Sequence, residues 1–173
     1  APTPPVGESA PPWCALARAI AEGGSDDQIA SDMLERLLYN LCEHSEGMTD
    51  GQRGDVNAAG RAVAGAAIRQ PKALRCAAAT LAKTCSADPA GTERALRELL
   101  SEEREPAARS QALGWISVQV EHLLALPDLV LRLYKGVFGP GGTGATALTG
   151  DYHLAQVFPD FLRRHPAQAT RAL

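Results

Sequence analysis

At 173 residues, 45% hydrophobic and 21% charged, the chain is long enough to bury a core without metal or disulfide staples. Its net charge of -3 excludes a global field that would draw in nucleic acid or anionic lipid. No apolar run approaches the roughly 20 residues that cross a bilayer, and no charged stretch leads into an apolar one as a signal peptide would.

Residues 1–11 are proline-rich without an apolar period and read as a flexible leader. Pro12 suits the first turn of a helix through Ala21, stopped by Gly23 and Gly24. Ser25 and Gln28 then form a capping-box pattern. Behind it Ile29, Met33, Leu34, Leu37, Leu38, Leu41 and Cys42 make a stripe at helical spacing. Thr49 or Asp50 caps a third helix, expected to reach about Gln70. Its interior is built of Ala58, Ala59, Gly60, Ala62, Ala64, Gly65, Ala66 and Ala67, small enough for a neighbouring backbone to close in. Pro71 restarts the chain, with Leu74, Ala77, Ala78, Leu81 and Cys85 as the next stripe.

Asp88 and Pro89 are an N-cap and first-turn pair for a helix to Leu100. The acidic turn of Glu102, Glu103 and Glu105 leads to Pro106, which opens a long helix carrying Leu113, Ile116, Val120, Leu123 and Leu124. Pro127 opens another to Phe138, with Leu129, Val130, Leu133, Tyr134 and Val137 inward. After an irregular stretch from Gly139 to Gly150, Asp151 starts a helix with Leu154, Val157 and Phe158 inward. Pro159 is expected to break or restart it, and Phe161 and Leu162 to carry the apolar side on. Residues 166–173 form a tail or begin a further helix at Pro166. No segment alternates with period two, so residues 12–165 read as one all-α domain of about eight helices.

Cys14, Cys42, Cys76 and Cys85 all fall in helical-looking segments. Nine residues of straight helix separate Cys76 from Cys85 by about 13 Å, beyond disulfide reach. Cys14 and Cys42 pair only if their helices are antiparallel neighbours. Four reduced thiols acting as small apolar residues are expected, which suits a reducing compartment.

Taken in pairs, the helices start near 12 and 25, 50 and 71, 89 and 106, and 127 and 151, repeating at about 38 residues. In the best-formed unit, around residues 92–124, Leu99 and Leu100 end one helix and Glu102 to Glu105 make the turn. Arg109, Ala112, Leu113 and Gly114 follow on the second helix. This segment resembles a HEAT or armadillo repeat, and Leu74 to Leu81 resembles the second helix of one more loosely. The resemblance implies stacked antiparallel hairpins that bind proteins or peptides along a helical face. An irregular helical bundle carries the same stripes.

No catalytic spacing stands out. Gly139 to Thr146 reads G-P-G-G-T-G-A-T, with Ala145 where a phosphate-binding loop needs Lys, and it follows a helix instead of a buried strand. Cys42 and His44 have no C-x-x-C partner for a metal site. His122 and His153 are expected to pack or cap, and His165 to complement a basic helix C-terminus after Arg163 and Arg164. Glu121 and His122, adjacent on a helix, should point to different sides and form no dyad. Arg61, Arg69, Lys72 and Arg75 gather near one helix junction, but no aromatic interleaves with them to stack a base. The expected function is therefore a non-catalytic, cofactor-free interaction scaffold of an intracellular protein, with another protein or peptide as partner. Its candidate binding residues are Arg61, Arg69, Lys72, Arg75 and Arg109, with Trp115, Gln119, His122 and Tyr152 lining a groove. The alternatives are a secreted cytokine-like bundle stapled by Cys14–Cys42 and a degenerate nucleotide-binding fragment using Gly139 to Thr146.

Overall fold

The computed structural model describes residues 28, 29, 32, 35, 36, 48–139 and 150–170. Among these every regular element is helical and none is a strand, so the chain is all-α. The helix expected over Pro12–Ala21, the Ser25 cap, Met33 to Cys42 apart from Glu35 and Arg36, the Cys14–Cys42 pair, His44 and residues 140–149 lie outside the described residues. Contacts divide the structure into two compact units, one ending at Thr80 and the other beginning at Leu81.

In the first unit α1 (Asp50–Ala67) starts from Thr49, whose hydroxyl accepts from Gln52 N while the Gln52 side chain accepts from Thr49 N. This capping box satisfies two backbone donors that a helix start otherwise leaves open. Val56, Ala59, Gly60, Val63, Ala64 and Ala67 form the buried face, at helical spacing. The small residues permit a close approach at Gly60, where an added Cβ would lie 3.2 Å from Thr80 Cγ2. The helix stops three residues short of Gln70, because Gln70 N bonds Ala67 O in an i+3 turn. Residues 71–73 continue as turn, so α2 (Leu74–Lys83) begins after Pro71 instead of at it. Residues 76–82 are all buried, Cys76 among them.

The second unit begins at Leu81, within α2, and continues into a 3-10 turn, Cys85–Ala87, in which the Cys85 thiol is buried. Asp88 then caps α3 (Pro89–Leu99), its Oδ1 accepting from Gly91 N at 2.8 Å. Glu105, the last acid of the expected turn, caps α4 (Pro106–Val118) by accepting from Ala107 N and Ala108 N. The long helix expected to carry Leu123 and Leu124 ends at Val118, and Val120–Leu123 form a 3-10 turn. Gln119 N bonds Ile116 O and His122 N bonds Gln119 O, i+3 links that tighten the chain. Val120 and Leu123 remain buried, so the apolar period alone does not reveal the change.

Pro127 opens α5 (Pro127–Phe138) as expected, and Leu129, Val130, Leu133, Tyr134 and Val137 are all buried. A Cβ on its Gly136 would come within 2.9 Å of Leu113 Cδ1, so α4 and α5 meet closely there. α6 (Gly150–Arg164) runs through Pro159 without the expected break. Proline removes the N–H that would serve Ala155 O, but Ala155 and Pro159 are both exposed, so water can serve that carbonyl. Phe161 is fully buried, whereas Leu162, expected inward with it, is 44% exposed. Leu162 sits about 100° round the helix from Phe161, beyond the buried side of α6. A short α7 (Pro166–Thr170) follows, with Ala169 buried.

α4, α5 and α6 pack on one another, α3 on α4, and α7 on α5 and α6. Tyr134 ties this cluster together. Its ring lies 5.5 Å from that of Phe161 and meets Phe158 edge-on at 5.3 Å, and its hydroxyl donates to Leu154 O at 2.6 Å. At the far end of α6, His165 Nε2 lies 2.7 Å from Leu124 O.

Candidate interaction surface

The basic candidates sit in the first unit. Arg69 and Lys72 are exposed in the turn between α1 and α2, and Arg75 is exposed on the first turn of α2. Arg75 is engaged: its guanidinium lies 2.7 Å from Glu35 Oε1, a carboxylate that also meets Cys76 Sγ at 3.6 Å. The Arg75 pKa is raised, first by its bond with Cys76 and then by Glu35. Arg61 is half-buried, about 9 Å of helix before the end of α1. The junction therefore gathers Arg69, Lys72 and Arg75, and sets Arg61 back from them.

Arg109, Trp115 and Gln119 are half-buried along α4 and at its end, and His122 lies in the 3-10 turn that follows. There His122 Nε2 approaches Glu121 Oε1 to 3.3 Å. The two side chains thus meet, contrary to the expectation for a helical pair. Burial lowers the His122 pKa, Glu121 opposes that shift, and Lys83 adds to it.

Tyr152 does not join this group. The bond between His165 and Leu124 O places the C-terminal end of α6 beside the 3-10 turn. Tyr152 lies 13 residues before His165, about 20 Å along the helix. The nearer histidine, His153, is half-buried and meets the Tyr152 ring edge-on at 5.7 Å.

Tyr152 belongs instead to an exposed stripe on the outer face of α6. Tyr152 is 60% exposed and Leu162 44%, and between them Ala155 and Pro159 are exposed too. The spacing i, i+3, i+7, i+10 is that of a helix–helix seam. The inner side of α6 is already filled by Leu154 and Phe161, so this helix carries a second apolar stripe facing solvent. Ala155, Pro159 and Leu162 were missed as candidates, although their seam spacing from Tyr152 is legible in the sequence.

Among the described residues no three His, Cys, Asp or Glu side chains are grouped to hold a metal ion. No helix among them is long and apolar enough to cross a membrane. No protein-family model, curated protein or solved structure matches this chain.

Proposed function

We propose that the chain is a non-catalytic binding module of an intracellular protein, holding another protein or peptide against a helical face as HEAT and armadillo arrays do. The observation that carries this reading is the outer stripe of α6, an apolar row at seam spacing on a helix already packed on its other side. Exposed single apolar residues are ordinary, whereas an aligned row of them is characteristic of binding surfaces. Hairpin stacking is supported by the packing of α4 on α6, the second helices of consecutive expected pairs. The buried Cys76 and Cys85 thiols suit a reducing compartment.

A photo-crosslinking residue placed at Ala155, with Ala87 as the control position, tests the reading in native extract. Discrete adducts at 155 that vanish with Leu162→Glu are expected. Equal capture at both positions, no capture at 155, or turnover of a small substrate would overturn it.

A further inference from the structure

We draw no further inference here: the strongest candidate, the exposed stripe on α6 from Tyr152 to Leu162, belongs to the surface already described, and nothing in the structure shows what covers it.

Discussion

Tyr134 carries two loads, one through its ring and one through its hydroxyl. The ring is packed between Phe158 and Phe161, and the hydroxyl reaches a backbone carbonyl of α6. Tyr134→Phe keeps the packing and deletes the bond, so a loss of about 1 kcal/mol is expected in urea unfolding. Burial raises the Tyr134 pKa to about 12. In the unfolded chain the phenol ionises near 10, so unfolding releases a proton between about 10 and 12 and stability falls across that window. Tyr134→Phe should lack this component when urea midpoints are compared at pH 9 and pH 11. His122 gives the opposite dependence on the acid side. Its pKa is lowered by burial, so just below about 6.5 the unfolded chain binds more protons than the folded one. Stability should therefore drop as pH falls through that region, and His122→Asn should flatten the melting temperature there.

Helix ends were legible where a side chain serves the backbone. Thr49, Asp88 and Glu105 all stand where a helix start needs an acceptor, and Pro127 fixes the start of α5. Continuations were less legible. Val120 and Leu123 satisfy both the α and the 3-10 period, so nothing in their spacing marks the tightening after Val118. Pro159 costs less where the carbonyl it orphans can reach water, and whether its side is wet is a property of packing. Within α1 the glycines divide by surroundings. A Cβ at Gly54 or Gly65 meets nothing within 4 Å, whereas one at Gly60 meets Thr80. Gly54→Ala and Gly65→Ala should each stabilise by about 0.5–1 kcal/mol in thermal melts, by the ordinary gain in helix propensity. Gly60→Ala should fall short of them.

Among the described residues, the two units bury different kinds of side chain. Those of the first bury mainly small ones, Val56, Ala59, Val63, Ala64, Ala67, Ala77 and Ala78, with Ile68 and Leu74, and those of the second bury Leu96, Ile116, Leu123, Leu129, Leu133, Leu154 and Phe161. Burial free energy follows apolar area, and alanine contributes little of it. Amide hydrogen exchange should therefore show residues 50–80 opening sooner than 106–165; equal protection would contradict this ordering. At this scale the sequence revealed the helical class but not the site. Trp115, His122 and Tyr152 share apolar surroundings in the one-dimensional pattern, and only the seating of His165 on Leu124 O reveals that Tyr152 lies a helix length away. The close meeting of α4 and α5 at Gly136 has a consequence for how the chain can vary. The atoms a side chain there would meet are the terminal methyls of Leu113, which another rotamer moves aside, so Gly136→Ala should fold with a change of about 1 kcal/mol or less while bulkier side chains cost progressively more. The range of residues that position 136 accepts is thus set by Leu113, and Leu113→Ala should widen it.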